Sequence, residues 1–224
     1  MNCSIVILSW NGLALLKTYL PAVLRAAGAT PGRHEIILVD NGSTDGTGKF
    51  LRAQYLSLGL VTSPENVSFA RGNNLGVRAA SGDIVLLLNN DVQVPEDLLG
   101  RLLTHFEDEE VFAVAPRLLK AGGKAIEAEY LKCMMSEYGV FEQVQPGLNA
   151  PAEEGVREPS LTWYAPAVAA AYRRGRYLAL GGLDEIYTPF LWDEIDICYR
   201  AWKKGWKVIY EPRTAVIHQG QGTV

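Results

Sequence analysis

Asp91 and His218 are the side chains of this 224-residue sequence that best suit a divalent cation. Asp91 ends the run LLLNND, which begins deeply apolar, and His218 stands in VIHQG at the end of the last apolar run. A carboxylate and an imidazole suit Mn²⁺ or Mg²⁺, and a cation at the mouth of an α/β sheet most often serves a diphosphate. The alternatives are that Asp91 caps the turn before a helix near Pro95, and that His218 is a hydrogen-bonded surface residue.

Asp193 and Glu194 form a second acidic group, at the start of a helix-like segment that begins near Trp192. A carboxylate within hydrogen-bond reach of a hydroxyl can take its proton as a general base. The competing interpretation is a capping box, with Asp193 as the N-cap and Asp196 at N3. Because capping would leave Glu194 free, we favour Glu194 as the base, and Asp193 is the other candidate.

Polar residues also follow the first two strand-like runs. Ser9, Trp10 and Asn11 end the first run, and Asp40 and Asn41 end the second. A carboxylate at the position of Asp40 can accept the ring N–H of a pyrimidine base, or it can cap the NGSTDG turn that follows. These strand ends are therefore candidates for binding a nucleotide.

Amides and one cation are concentrated at residues 65–74 and again just before Asp91. Asn66, Arg71 and Asn74 suit contacts to a ribose and a diphosphate, and Asn90 belongs to the same polar strand end as Asp91. The alternative is that residues 65–74 form a helix N-terminus with a solvated face. We predict that these residues join the nucleotide-binding group.

An open, mostly parallel α/β sheet would bring these residues to one edge. Helices are predicted at 13–27, with Pro21 kinking it or starting its second half, and at 68–80. Because strands and helices alternate, we expect right-handed βαβ units, with ligands bound beyond the carboxyl ends of the strands. Apolar, β-branched runs predict strands at 4–10, 35–40, 59–63, 83–89, 111–116 and 207–212.

Two further segments are predicted from their patterns. Within residues 120–160, AGGKAIEAEYLKCMMSEYGV could hold a short element, whereas QPGLNAPAEEGVREPS is rich in Pro, Gly and Glu and predicts a mobile loop. The range as a whole is a variable segment that could close over a ligand. The helix after Trp192 is predicted to end at Gly205. Its predicted buried stripe consists of Ile195, Cys198, Tyr199 and Trp202.

The composition excludes several classes of protein. With a net charge of −4 and no basic tail, the chain is not expected to bind nucleic acid. Three widely spaced cysteines suggest neither a disulfide framework nor a zinc knuckle, so a reducing cytoplasm fits. Neither a signal peptide nor a transmembrane segment is apparent, so any membrane association is expected to be peripheral.

The motifs, taken in order, resemble the inverting nucleotide-sugar glycosyltransferases of family 2, which have the GT-A fold. The resemblance runs from about residue 3 to 220 and is interrupted only at 120–160. Among the branches of the family it is most similar to the bacterial transferases of cell-surface polysaccharides, including rhamnosyltransferases. The segments that carry it are SIVILSWNG, IILVDNGSTDGT, ENVSFARGNNLG, VLLLNNDV, GGLDE, WDEIDICYR and VIHQG.

The resemblance implies transfer of a sugar from a UDP- or dTDP-linked donor to a hydroxyl of a glycan or lipid-linked acceptor, with inversion. It implies one GT-A domain over residues 1–224, in which 1–91 bind the nucleotide and 160–224 provide the acceptor side and the metal-binding histidine. Gly182, Asp184 and Trp192 fall on the acceptor side.

The resemblance also assigns roles to the candidate residues. It implies Asp40 for the base, Asp91 and His218 for the metal, and the acidic pair before Ile195 for the catalytic base.

The sequence departs from the family pattern at several positions. Its DxD-like motif is Asn89-Asn90-Asp91, its acidic pair is inverted, and Ser68 stands where the family has glycine. A non-catalytic module that binds a sugar nucleotide or a glycan therefore stays an alternative. A sugar nucleotidyltransferase is a further one, although SWNGLALLKT at 9–18 lacks its Gly-rich, basic loop.

Overall fold

The computed structural model describes residues 1–128, 148–189 and 192–220 with their side chains, and the backbone of 132–135 and 141–144. The described strands are β1 (Cys3–Ser9), β2 (His34–Asn41), β3 (Gly59–Ser63), β4 (Ile84–Asn89), β5 (Val92–Gln93), β6 (Val111–Leu119), β7 (Ile126–Ala128), β8 (Lys132–Met135), β9 (Phe141–Val144), β10 (Ser160–Leu161), β11 (Ala169–Arg173) and β12 (Lys207–His218). The described helices are α1 (Leu13–Ala29), α2 (Thr47–Gln54), α3 (Phe69–Ala79), α4 (Leu98–Thr104), α5 (Arg174–Ala179) and α6 (Asp193–Trp202).

Within the described part of the chain, ten strands form one sheet, in the order β10-β12-β6-β11-β4-β1-β2-β3, with β5 beside β12 and β7 beside β6. Strands β3, β2, β1 and β4 are parallel, as their alternation with helices predicted. Strands β8 and β9 form a separate two-stranded antiparallel sheet. The carboxyl ends of β1, β2 and β4 therefore meet at one edge, where the polar strand ends were predicted to lie.

Helices cover both faces of this sheet, which is why its central strands are apolar throughout. On one face, Ile5 and Ile7 of β1 share a core with Leu16 of α1 and Leu98 of α4. On the other face, Val6 packs in a second core with residues of α3 and α6. Successive side chains of a strand point to opposite faces, so β1 contributes to both cores.

Strand β11 is a central element that the sequence pattern did not predict. It lies between β4 and β6 and is antiparallel to both. Its sequence AAAYR is poor in β-branched residues, so it lacks the composition typical of strands. The sheet is therefore mixed, with a parallel block on each side of β11.

Helix α6 buries a different face from the predicted one. Of the predicted stripe, only Cys198 is buried, whereas Tyr199 is 45% exposed. Ile195 and Trp202 are half-buried, and Trp202 stacks on Trp163 with ring centroids 6.2 Å apart. The face that packs on the sheet consists of Asp193, Ile197, Cys198 and Ala201.

Two other predictions concern α1 and residues 120–160. Pro21 lies inside a single helix, α1, and does not start a second one. In the described part of 120–160, the three residues of β7 pair with β6, and β10, which begins at Ser160, pairs with β12. The variable segment falls partly on 129–131, 136–140 and 145–147, which lie outside the described residues, so its closure stays a prediction.

Candidate active site

Asp91 and His218 are brought together by β5, the two-residue strand that directly follows Asp91. Strand β5 pairs antiparallel with the end of β12, so that His218 lies opposite Val92. The backbone N–H of Gln219 also donates to the carbonyl of Asp91, over 3.2 Å. As a result, Nε2 of His218 lies 3.4 Å from Oδ1 of Asp91. The N-cap position of α4 is occupied by Asp97 and not by Asp91.

The imidazole of His218 lies between two carboxylates. Its Nδ1 is 2.8 Å from Oε1 of Glu127 in β7, on the side of the ring away from Asp91. Burial alone would lower the pKa of His218, but its hydrogen bonds to Asp91 and Glu127 outweigh burial and raise that pKa to about 9. His218 is therefore a half-buried member of a charged network and not an isolated surface residue.

The donor atoms of Asp91 and His218 fit Mn²⁺ or Mg²⁺. Asp91 is fully buried, and its carboxylate and the Nε2 edge of His218 face each other. No group of three or more His, Cys, Asp or Glu side chains among the described residues forms a complete metal cage. An ion held by one carboxylate and one imidazole would take its other ligands from phosphate oxygens and water, as is usual for cations that serve a diphosphate.

Asp40 lies at the end of β2, and only 7% of its surface is exposed. Its Oδ1 accepts a hydrogen bond of 3.0 Å from the backbone N–H of Ser43, so it does cap the NGSTDG turn. Its Oδ2 faces Gly48, where an added Cβ would lie only 2.4 Å from that oxygen. Trp10 is half-buried at the neighbouring end of β1. The predicted contact of Asp40 with a base stays a prediction.

Ser9, Asn11 and Asn90 link the ends of three strands. The side-chain amide of Asn90 donates to Oγ of Ser9 over 2.9 Å, and both residues are buried. Oδ1 of Asn11 accepts the backbone N–H of Thr44 over 2.8 Å, which ties β1 to the turn after β2. A Cβ at Gly12 would lie 2.2 Å from Nδ2 of Asn90, so this close approach requires glycine.

Asn41 and Asn66 hold the segment before α3. Nδ2 of Asn41 donates to Oδ1 of Asn66 over 2.9 Å, and the backbone N–H of Val67 donates to Oδ1 of Asn41 over 2.9 Å. Ser68, at the glycine position of the family pattern, has φ 73° and ψ 174°, a region of conformational space that glycine occupies almost alone. These amides therefore fix a strained backbone at the edge of the candidate site.

Arg71 and Asn74 have different environments on α3. Arg71 is exposed in the first turn, at the strand-end edge. Asn74 is buried, and its Nδ2 donates to the carbonyl of Leu183 over 2.8 Å. Its Oδ1 accepts from the backbone N–H of Leu183 and from the hydroxyl of Tyr177. Asn74 thus has a packing role between α3 and the loop before Asp184, which the sequence prediction did not include.

Asp193 and Glu194 lie in the first turn of α6, at the same edge of the sheet as Asp91. Asp193 is 1% exposed, and its Oδ2 has no hydrogen-bond partner among the described residues. Glu194 is half-buried. Burial, a hydrogen bond to Asp193 and the charge of Asp193 all raise the pKa of Glu194, to about 8. A base with a pKa near neutrality suits proton abstraction from a hydroxyl.

The capping-box interpretation of this turn is wrong. Trp192, with φ 75°, is the N-cap, and Asp193 is the first helical residue. Asp196 is paired instead with Arg200, whose Nε donates to its Oδ2 over 2.8 Å. The two residues are one helical turn apart, so an i,i+4 ion pair replaces the predicted cap.

The three acceptor-side candidates lie around one surface cavity or beside the acidic pair. The carbonyl of Gly182 accepts from Nη2 of Arg200 over 2.8 Å. The exposed Asp184 caps a short 3₁₀ turn, because its Oδ1 accepts the N–H of Ile186 over 3.0 Å. Trp192 is 55% exposed. The cavity, of about 460 Å³, is lined by Asn74, Leu180, Gly181, Gly182, Leu183, Asp184, Glu185 and Arg200.

Glu127 is the residue of this site that the sequence prediction missed. It lies in the part of 120–160 that could hold a short element, and no motif marked it. The apolar, polar, apolar alternation of Ile126, Glu127 and Ala128 was the available signal for a strand. Separately, no helix in the described residues is long and apolar enough to cross a membrane.

Relatives of known name support the reading of the motifs. The chain is 28% identical over 186 residues to the pre-mycofactocin glycosyltransferase of Mycobacterium tuberculosis, covering 82% of this chain and 37% of that protein. It is 28% identical over 210 residues to the O-antigen biosynthesis protein RfbC of Myxococcus xanthus, covering 91% and 16%. It is 26% identical over 222 residues to the N-acetylglucosaminyl-diphospho-decaprenol L-rhamnosyltransferase of M. tuberculosis, covering 85% and 68%. The chain thus spans well under half the length of the first two relatives.

Solved structures show the same fold. GalNAc-T7 with UDP, GalNAc and Mn²⁺ matches with a TM-score of 0.75 at 18% identity, covering 98% of this chain and 44% of that chain. The mannosyltransferase PcManGT from Pyrobaculum calidifontis, in complex with GDP-Man and Mn²⁺, matches with a TM-score of 0.70 at 18% identity, covering 96% and 56%. These neighbours are GT-A glycosyltransferases, so the predicted fold class is confirmed.

The family model named Glycosyl transferase family 2 matches residues 4–177, which is most of the chain and includes the strand ends that carry Asp40 and Asp91. The resemblance inferred from the motifs is confirmed, and the chain belongs to glycosyl transferase family 2.

Proposed function

We propose that this chain is a metal-dependent, inverting glycosyltransferase that moves a sugar from a UDP- or dTDP-linked donor to an acceptor hydroxyl in bacterial surface polysaccharide synthesis. The observation that carries the proposal is the approach of His218 to Asp91, with Nε2 3.4 Å from Oδ1, at the edge of the sheet where Asp193 and Glu194 begin α6. One edge thus offers a place for a diphosphate and a base for a hydroxyl.

The donor would lie over the ends of β1, β2 and β4. Asp40 accepts the ring N–H of the base, and Arg71 reaches the phosphates. The backbone and side chains of the neighbouring strand ends line the nucleotide, namely Ser9, Trp10, Asn11, Asn41, Asn66 and Asn90. Bound UDP in GalNAc-T7 and GDP-Man in PcManGT, each with Mn²⁺, support a nucleotide-sugar donor and a divalent cation for this fold.

Mn²⁺ or Mg²⁺ held by Asp91 and His218 would supply neutralisation of the negative charge that develops on the departing diphosphate. Glu194 takes the proton of the acceptor hydroxyl. The acceptor oxygen then forms its bond to the anomeric carbon while the bond from that carbon to the diphosphate oxygen breaks on the opposite face. Asp193 keeps the pKa of Glu194 high, which makes Glu194 a stronger base.

The acceptor side would be formed by Trp192, Gly182 and Asp184, with a glycan or lipid-linked acceptor. The name of the rhamnosyltransferase relative describes a lipid-diphosphate acceptor, and that of RfbC describes O-antigen biosynthesis. Both names support an acceptor of this class. The proposal includes work in the cytoplasm at the inner face of the membrane that carries such an acceptor.

A non-catalytic sugar-nucleotide binding module is the second candidate, and the loss of a carboxylate in Asn89-Asn90-Asp91 favours it. Thermal-shift screening of the purified protein against UDP, dTDP and GDP sugars, with Mn²⁺ and with EDTA, would identify the donor. Release of the nucleoside diphosphate would then be followed with the stabilising donor. Release, by hydrolysis or transfer, supports the enzyme, whereas donor binding without any release over hours supports the binding module.

A further inference from the structure

Glu127 holds the imidazole of His218 from the side opposite Asp91. Its Oε1 lies 2.8 Å from Nδ1 of His218, which is within ordinary hydrogen-bond distance. The side chain of Glu127 is 31% exposed and that of His218 is 13% exposed, so the contact lies just beneath the surface. The two nitrogens of the ring therefore face two different carboxylates.

The register of three strands produces this contact. Ile217 of β12 lies beside Leu119 of β6, and Leu119 lies beside Ile126 of β7. Strand β7 is antiparallel to β6, and the register shifts between Leu118 and Leu119, so that Glu127 lies between the partners of these two leucines. From this position Glu127 reaches the ring of His218, the residue after Ile217.

A tight turn sets the position of β7. The backbone N–H of Lys120 donates to the carbonyl of Ala125 over 2.9 Å, and Gly122 and Gly123 have φ of 85° and 72°. A Cβ at Gly123 would lie 3.0 Å from Cδ1 of Ile217, so the turn packs closely on β12. The backbone of this turn therefore fixes the position of Glu127, in addition to the hydrogen bond that its side chain makes with His218.

An imidazole binds a cation through one nitrogen, and the hydrogen bond made by its other nitrogen decides which one is available. With Nδ1–H donating to Glu127, Nε2 is the nitrogen that faces Asp91, and a cation bound there would replace the proton that Nε2 carries in the metal-free site. The carboxylate of Glu127 lies on the far side of the ring from Asp91.

We propose that Glu127 is a positioning residue for the metal site: it fixes the ring of His218 so that Nε2 and Asp91 face the same cation. This inference rests on the proposed function, since it requires that Asp91 and His218 bind the metal. It assigns a role in that site to a segment, residues 120–160, in which no family motif was found.

Calorimetric titration of Mn²⁺ into the wild-type chain and its variants, with UDP present, tests the proposal. We expect Glu127→Ala to weaken Mn²⁺ binding about 10–100-fold, the usual effect of removing such a partner. Glu127→Gln should weaken it less, because the amide oxygen still accepts the Nδ1–H bond. Glu154→Gln removes the same charge from an exposed site in the same segment and should leave the affinity unchanged.

Pulsed electron paramagnetic resonance of bound Mn²⁺ gives a readout that a merely structural role would not change. The wild type should show coupling to an imidazole ¹⁴N, His218→Ala should abolish it, and Glu127→Ala should reduce it at saturating Mn²⁺. Thermal unfolding of each variant would verify that the fold persists.

The outcomes separate this inference from the proposed function. If Asp91→Ala and His218→Ala bind Mn²⁺ as the wild type does, the metal assignment itself fails. If those two variants lose Mn²⁺ but Glu127→Ala keeps full affinity and full nitrogen coupling, only the role of Glu127 fails. If Glu127→Gln and Glu127→Ala both lose binding as completely as His218→Ala, Glu127 is a direct ligand and the positioning role is wrong.

Discussion

The proposed donor side, residues 1–91, and the proposed acceptor side, residues 111–220, are built by different kinds of contact. On the donor side, parallel strands joined by helices place polar residues at one edge, and neighbouring strand ends bond to each other, as Asn90 does to Ser9. On the proposed acceptor side, short antiparallel pairings between distant segments position the candidate side chains, as the pairing of β5 with β12 does for His218. The first arrangement follows from the topology of the sheet, whereas the second depends on individual contacts.

The largest expected effect is on the acceptor side. Glu194→Gln should lower the transfer rate by about 10²–10⁴-fold, because the amide cannot accept the proton of the hydroxyl. Affinity for the nucleoside diphosphate and the melting temperature should stay near the wild-type values. Steady-state assays with saturating donor would measure the rate, and Glu107→Gln, at an exposed position outside the site, is the matched control.

The pH profile sharpens this prediction. Because the pKa of Glu194 is raised to about 8, its base form increases as the pH rises through that value, and the wild-type rate should rise with it. The Glu194→Gln variant should lack this rise. A wild-type rate in Glu194→Gln together with an inactive Asp193→Asn would mean that Asp193 is the base.

At the proposed metal site, Asp91→Asn should remove the dependence of nucleotide binding on the cation. The expected loss of UDP or dTDP affinity in Mn²⁺ is about a hundredfold, since a bound cation contributes several kcal/mol to the binding of charged phosphate. Calorimetry in Mn²⁺ and in EDTA would measure it. Asp83→Asn, an exposed residue at the opposite end of the sheet, should behave as the wild type. Equal wild-type affinity in EDTA and in Mn²⁺ would rule out the metal assignment.

Strand β12, which carries His218, is anchored by a buried ion pair. Burial would raise the pKa of Glu211, but hydrogen bonds from Arg213 and His105 lower it to about 2. A lowered carboxylate pKa stabilises the fold above its unfolded value of 4.5, and this stability is lost as the pH falls toward 2. Glu211→Gln should therefore lower the free energy of unfolding by about 3 kcal/mol at pH 7.

Urea denaturation of the wild type and of Glu211→Gln would measure this difference at several pH values. The difference should narrow between pH 5 and pH 3, because protonation of Glu211 weakens the wild type alone. Glu109→Gln, at an exposed position, should show no such narrowing. A difference that does not change with pH would mean that the loss comes from packing.

On the donor side, Asp40→Ala should cost about 1–3 kcal/mol of nucleotide affinity, because it deletes a buried, charge-assisted hydrogen bond to the base. Calorimetry with UDP, dTDP and GDP would measure both affinity and preference. Asp40→Asn is the sharper variant, since its amide oxygen can still accept from Ser43 and keep the turn. A preference among bases that survives this change intact would show that another group recognises the base.

The smallest expected effect is at Ser68. Its positive φ costs an L side chain about 1–3 kcal/mol. Glycine avoids this cost but loses more conformational entropy on folding, so the net gain from a glycine here is smaller. Ser68→Gly should therefore raise the free energy of unfolding by about 1 kcal/mol, measured from the urea midpoint. Ser57→Gly, in a loop where the backbone does not have positive φ, should lower it. A destabilised Ser68→Gly would mean that the hydroxyl makes a contact worth more than the strain.

The sequence predicted the strands of residues 1–91 well because their signals are local. The runs that form β1, β2, β3 and β4 end within a residue or two of the predicted bounds, since an apolar run and a turn residue lie within a few positions of each other. Asp91 was singled out for the same reason. The family motifs, which are also local, then predicted the GT-A fold.

The sequence could not predict the contacts that join distant segments. Strand β11 was missed because its sequence, AAAYR, lacks the β-branched residues that are typical of strands, although small alanines fit a central position in the sheet. The prediction of the buried face of α6 was wrong because the large aromatic residues Tyr199 and Trp202 suggest a core stripe. In the structure, both rings instead contact Trp163 nearer the surface. Glu127 was missed because its role exists only once β6, β7 and β12 lie side by side.

The pairing of β5 with the end of β12 has a consequence for folding. Loop closure over a long stretch of chain makes such contacts slow to form, so Asp91 and His218, the proposed ligands of the cation, meet only when β12 has joined the sheet. A partly folded chain, with β1 to β4 in place, would hold Asp91 without His218. The time at which Mn²⁺ affinity appears during refolding would therefore report when β12 joins the sheet. Saturating Mn²⁺ would slow the unfolding step in which β12 leaves the sheet.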